Sequence, residues 1–114
     1  MAEVTIYHNP RCSKSRETLR LIEERGIAPT VVEYLKTPPT ADELRRVLAL
    51  LGKAPRDILR RKEAAEAGID ADTLDDEALI RAMVATPAVI ERPIVVANGK
   101  AALGRPPESV ADIL

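Results

Sequence analysis

The chain has 114 residues, and 17 Lys and Arg against 18 Asp and Glu leave a formal net charge of −1. That balance excludes a global electrostatic case for nucleic acid or an anionic membrane, and no apolar run approaches the ~20 residues of a membrane span. The length suits a single domain, residues 1–114, with a real hydrophobic core. That core must be aliphatic, because Phe and Trp are absent and the only aromatic residues are Tyr7 and Tyr34. One cysteine cannot close an intramolecular disulfide. With no signal-peptide pattern at the N-terminus, a reducing cytoplasm is the expected location. No internal repeat or low-complexity segment stands out.

In chain order, Val4, Ile6 and Tyr7 predict a short strand. Asn9-Pro10 is a turn signal, since proline biases the residue before it away from helix. A helix follows from about Ser13 to Arg25, with Leu19 and Ile22 on one side and Glu17, Arg20 and Glu24 on the other. Gly26 is placed to end it. Pro29 to Leu35 reads as a second strand, so a parallel pair with a right-handed crossover is expected.

Thr40 and Glu43 form a capping-box pattern ahead of Leu44, Val47, Leu48 and Leu51, an apolar stripe at helical spacing. Another helix is expected over residues 55–67, and a further one from Asp75 to about Ala85. Pro93 to Ala97 is a third strand, Asn98-Gly99 a hairpin turn, and Lys100 to Leu103 the returning strand. Pro106-Pro107 opens a last short helix carrying Val110, Ile113 and Leu114. The order β-α-β, a helical insertion over about 40–86, then β-β-α predicts an α/β protein with a small mixed sheet. It looks like a thioredoxin fold, in which a proline, usually cis, opens the third strand and faces a cysteine at the start of the first helix. Arg92-Pro93 is the candidate cis bond.

The only cysteine and the only histidine, Cys12 and His8, lie four residues apart at the strand–loop–helix junction. A free thiol has a pKa of about 8.5 and is only slightly ionised at neutral pH. A helix N-terminus favours the anion by roughly 0.3–1 kcal/mol, less than about one pKa unit. Further help is available from Arg11, Lys14 and Arg16, from His8, and from the Ser15 hydroxyl as a hydrogen-bond donor. The competing reading is a structural cysteine, since free Cys is often buried as a small hydrophobe. Its neighbours Pro, Arg, Ser, Lys and Ser make a poor core setting. His8 could equally be a polar residue that ends an edge strand. A lone histidine and one cysteine are too few for a zinc site, and no metal is expected. A Cys-His hydrolase lacks a Gly-x-Cys-x-Gly elbow here.

The stretches Tyr7 to Arg16, Tyr34 to Pro39, Glu91 to Val96 and Gly104 to Pro107 together resemble the glutaredoxin-coupled arsenate reductase family, in order and over nearly the whole chain. The chain is closer to the short chromosomal members. The plasmid-borne resistance enzymes usually have a different residue pair between cysteine and serine and a longer C-terminal tail. The resemblance implies a thioredoxin-like fold with a helical insertion. It also implies that Cys12 is the nucleophile, that His8 and Ser15 tune its thiolate, and that Arg60, Arg92 and Arg105 hold the oxyanion. Arg60 is carried over from Ile58-Leu59-Arg60-Arg61, where Arg61 stands beside it. By residue type alone these are three ordinary solvated arginines, far apart in sequence. Because the chain has no second cysteine, another thiol must come from outside. The resemblance implies glutathione as co-substrate and glutaredoxin as partner, with no bound cofactor and a monomer expected.

Two other readings remain. One is a glutathione-dependent thiol oxidoreductase with another substrate. The other is a regulator similar to the Spx proteins, which share this fold and bind RNA polymerase; those often carry Cys-x-x-Cys, whereas Ser15 holds the fourth position here.

Overall fold

The computed structural model describes residues 3–114. The chain divides into two compact units. One joins the segment ending at Thr37 with Arg92–Leu114, and the other is Pro38–Glu91.

The first unit carries a four-stranded sheet of β1 (Val4–His8), β2 (Thr30–Glu33), β3 (Ile94–Ala97) and β4 (Lys100–Leu103), in the spatial order β2-β1-β3-β4. β1 and β2 are parallel, with Tyr7 opposite Val32 and His8 opposite Glu33. β3 lies antiparallel on the other side of β1, with Tyr7 opposite Ile94, and β4 returns antiparallel to β3. This is the expected thioredoxin-like arrangement. The β1–β2 crossover is α1 (Ser13–Glu24), and the C-terminal piece is a 3-10 helix, Pro107–Ile113. The β3–β4 turn works because Asn98 (φ 54°) and Gly99 (φ 70°) both adopt the left-handed backbone that a two-residue hairpin needs. The Asn98 amide also donates to the Ile113 carbonyl at 2.7 Å, tying the turn to the C-terminal helix.

The core of this unit is aliphatic, as composition required. Val4, Ile6, Ile22, Val95, Ala97, Val110 and Ile113 pack together, with Leu19, Leu21 and Ile27 against them. Period-2 alternation in β1 and helical spacing in α1 direct these residues to one side. Two details differ from expectation. β2 is shorter, because the Glu33 carbonyl takes the Lys36 and Thr37 N–H groups and turns the chain. β1 is an interior strand, so His8 does not end an edge strand and is buried. Arg92-Pro93 is cis, and so is Arg105-Pro106.

The inserted helices form the second unit: α2 (Ala41–Leu51), α3 (Arg61–Glu66) and α4 (Asp76–Ala85). The capping box of α2 is complete, with Thr40 Oγ1 accepting from Glu43 N and Glu43 Oε1 accepting from Thr40 N. The Asp75 carboxylate caps α4 by accepting from Ala78 N at 2.8 Å. Leu44, Val47, Leu48, Leu79, Ile80 and Met83 are buried. The helix expected over 55–67 is instead a 3-10 turn, Pro55–Ile58, followed by α3. The break has a physical cause. Leu59 forms an antiparallel bridge with Ile90, Arg60 N donates to the Val89 carbonyl at 2.7 Å, and Glu91 N donates to the Ile58 carbonyl at 2.7 Å. Pairing with residues 89–91 removes the backbone groups that a continuous helix would use. Among the described residues no helix is long and apolar enough to cross a membrane.

Candidate active site

Asn9 organises the loop between β1 and α1 from three directions. Its side-chain Oδ1 accepts from Arg11 N at 3.0 Å, its carbonyl accepts from Cys12 N at 3.0 Å, and its N–H donates to Ser15 Oγ at 3.0 Å. This is a side chain mimicking a backbone turn, as asparagine commonly does. Arg16 Nη1 donates to the Pro10 carbonyl at 2.9 Å and holds the outer side of the loop. The chain enters α1 with Cys12 as the N-cap residue in extended conformation (φ −94°, ψ 123°), its carbonyl accepting from Arg16 N. A cysteine at this position faces the free N–H groups of the first helical turn.

Cys12 is buried, with 9% of its surface exposed. Burial pushes its pKa up, and four effects pull it down: the Ser15 N–H, the charge of Arg92, the Lys14 N–H and a hydrogen bond from Arg92. The balance lies below the ordinary thiol value. The thiolate is thus favoured by two aligned amides and one guanidinium in a partly desolvated place, where such interactions are stronger than in water. Neighbours in sequence contribute differently from expectation. Lys14 acts through its backbone N–H, and the assisting cation is Arg92, from the far end of the chain.

His8 and Ser15 are both buried, and Ser15 Oγ lies 2.6 Å from His8 Nδ1. Burial lowers the His8 pKa below its ordinary value, Glu33 opposes this and Arg16 adds to it, which favours the neutral ring. The Ser15 hydroxyl therefore bonds with His8 and Asn9, and Ser15 assists Cys12 through its backbone N–H rather than through the hydroxyl donor expected.

Arg92 and Arg105 come together in the same unit. Arg105 Nη1 donates to the Arg92 carbonyl at 3.1 Å, while Nε and Nη1 of Arg92 lie out of solvent. Arg60 belongs to the second unit, where it precedes α3 and its Nη2 pairs with Glu63 at 2.9 Å. Arg61 points elsewhere, 3.7 Å from Asp72. The first unit thus brings Arg92 beside Cys12, Arg105 beside Arg92 and Ser15 beside His8, while Arg60 lies in the second unit. In the sequence the Asn9-Pro10 pair signals only a turn, and the structure adds the three hydrogen bonds by which Asn9 shapes the loop.

Residues 7–113 match the model of the ArsC family. The chain is 55% identical to the uncharacterized protein YfgD of Escherichia coli (strain K12), covering 98% of this chain and 97% of that protein. It is 53% identical to an arsenate reductase of Neisseria meningitidis, covering both chains completely. A solved structure described as a putative arsenate reductase from Yersinia pestis superposes with a TM-score of 0.93 at 52% identity, covering 97% of this chain and 100% of that one. A match from Tyr7 to Ile113 takes in the cysteine loop, the inserted helices and both arginines of the β3–β4 end, and the chain belongs to the ArsC family.

Proposed function

We propose that this protein reduces arsenate to arsenite, with Cys12 as nucleophile and glutathione and glutaredoxin as the source of electrons. One observation carries the reading: Cys12 caps α1 with its pKa lowered by the Lys14 and Ser15 amides and by Arg92. A thiolate beside a guanidinium is what attack on a phosphate-like oxyanion requires. Arginine forks match such anions bidentately, which lysine cannot do. Arg92 and Arg105 are the proposed ligands from the first unit. Arg60, which the second unit carries, is proposed as a further ligand on the family resemblance alone.

In the proposed sequence, the Cys12 thiolate attacks arsenic(V), an As–S bond forms, and one arsenate hydroxyl takes a proton from solvent and leaves as water. Glutathione then attacks the sulfur of Cys12. The As–S bond breaks, its electron pair reduces arsenic(V) to arsenite, and Cys12 is left in a mixed disulfide with glutathione. A glutaredoxin thiol takes the glutathione and restores the Cys12 thiol, by ordinary thiol–disulfide exchange. The external thiol is needed because the chain has one cysteine and the reduction takes two electrons. Phosphate at the same arginines is expected to inhibit without turning over, since only arsenic is reducible here.

The test is arsenite production from arsenate with glutathione and glutaredoxin, for wild type and Cys12→Ser side by side. Turnover by wild type alone is expected. Full activity in Cys12→Ser would overturn the mechanism. An inactive wild type whose thiol still titrates low would favour a thiol oxidoreductase with another substrate.

A further inference from the structure

We infer that Gly104 is a positioning residue for the Cys12, Arg92 and Arg105 site, required for the side chain it lacks. The inference rests on the reading of those three residues as nucleophile and oxyanion ligands.

The five glycines of the chain fall into two kinds. Gly26, Gly52, Gly68 and Gly99 have φ between +66° and +77°, and a Cβ on any of them would meet nothing within 4 Å. Gly104 is the reverse: its φ lies outside the left-handed region, and the space is filled. A Cβ there would stand 2.7 Å from Pro93 Cγ and 3.1 Å from Thr18 Cγ2, with Thr18 Oγ1 closer than either. Neither neighbour can step aside into solvent, because Thr18 and Pro93 are fully buried. Thr18 is also anchored, its hydroxyl donating to the Lys14 carbonyl at 2.8 Å.

Each neighbour leads to the site. Thr18 is one turn along α1 from Lys14, whose amide favours the Cys12 thiolate. Pro93 follows Arg92, the cation that lowers the thiol pKa. Gly104 N donates to the Pro93 carbonyl at 2.9 Å, and the next residue, Arg105, reaches back to the Arg92 carbonyl. The absence of one methyl group thus lets α1 close on the Arg92–Pro93 corner. Close packing makes such a gap sensitive to a single carbon. Adding it would move the helix start away from Arg92 and weaken the charge assistance, which falls with distance.

The experiment compares Gly104→Ala, Thr18→Ala and the double variant. The pH dependence of alkylation at Cys12, the only thiol, is measured together with binding of inorganic phosphate and thermal unfolding. Gly104→Ala is expected to fold with its thiol pKa raised by at least about one unit, roughly tenfold less thiolate at neutral pH, and with phosphate binding weakened several-fold. The double variant, with Thr18 trimmed back to Cβ, is expected to recover part of both. A folded Gly104→Ala with the wild-type thiol titration and phosphate affinity would overturn the inference. So would loss of stability alone, with both site readouts unchanged. If Gly104→Ala fails to fold, recovery of folding and of a low thiol pKa in the double variant supports the inference, and a double variant that also fails to fold overturns it. None of these readouts needs arsenate turnover. A wild type without reductase activity would count against the proposed function, while a shift in Gly104→Ala would still support the positioning role.

Discussion

The Ser15 hydroxyl oxygen lies 2.6 Å from His8 Nδ1, and the same oxygen accepts the Asn9 N–H at 3.0 Å. One buried atom therefore joins the end of β1, the cysteine loop and the first turn of α1. Ser15→Ala removes that atom and leaves the imidazole and the Asn9 amide without it, while the Ser15 backbone N–H that favours the thiolate remains. The expected result is a stability loss of about 1–3 kcal/mol, the usual cost of stranding buried polar groups. The thiol pKa is expected to shift less than in Arg92→Ala. Urea unfolding and alkylation kinetics measure the two separately, and a larger thiol shift in Ser15→Ala than in Arg92→Ala would contradict this division.

His8 supplies a pH dependence of known sign. Its folded pKa is below the ordinary imidazole value of 6.5, chiefly through burial. The unfolded chain therefore takes up the proton first as pH falls. The stabilising contribution of neutral His8 is fully present above the ordinary value and is lost as pH drops through the lowered folded value. Denaturation midpoints compared at about pH 7.5 and about pH 5.5 should fall more in wild type than in His8→Asn, and equal falls would contradict the assignment.

The Cys12 thiol behaves with the same sign at higher pH. Its folded pKa is depressed despite burial, by the helix amides and Arg92. Alkylation should therefore rise through a pKa below that of a free thiol. The stability that ionised Cys12 contributes is present above the ordinary thiol value and lost as pH falls through the folded one. Arg92→Ala is expected to move the alkylation profile upward in pH and to weaken phosphate inhibition roughly tenfold or more, the scale of one lost charge-assisted hydrogen bond. An unmoved profile would remove Arg92 from the site.

The two arginines before and within α3 can be separated by the same assay. Arg60 and Arg61 differ in exposure, 27% against 61% at the side chain, and in partner, Glu63 against Asp72. With Arg60 as the third oxyanion ligand, Arg60→Ala raises the KM for arsenate about tenfold or more, and Arg61→Ala leaves it near wild type. The reverse ranking would move the assignment to Arg61.

The inserted unit offers a test of local chemistry alone. Thr40→Ala removes the hydroxyl that accepts the Glu43 N–H, while the backbone N–H that donates to Glu43 Oε1 remains, and it should cost about 0.5–2 kcal/mol, with the Cys12 titration unchanged. Chemical denaturation followed by circular dichroism measures the first, alkylation the second.

What the chain alone determined follows short-range rules. β-branched residues marked β1, Thr40 and Asp75 marked helix starts, Asn98-Gly99 marked the hairpin, and Cys12 stood at a helix N-terminus because a turn and a helical pattern meet there. Each depends on residues within about one helical turn of one another, so a linear reading recovers them. The tertiary structure decided whatever depends on residues far apart in sequence. The 55–67 helix breaks because Leu59 pairs with Ile90, an alternative that local propensity does not contain. The cation beside Cys12 is Arg92 rather than Arg11 or Arg16, because sheet pairing, not sequence adjacency, carries Arg92 to the helix start. Gly104 has the same lesson: its neighbours in sequence say nothing of Thr18, and only the packed fold shows that the space for a methyl group is taken.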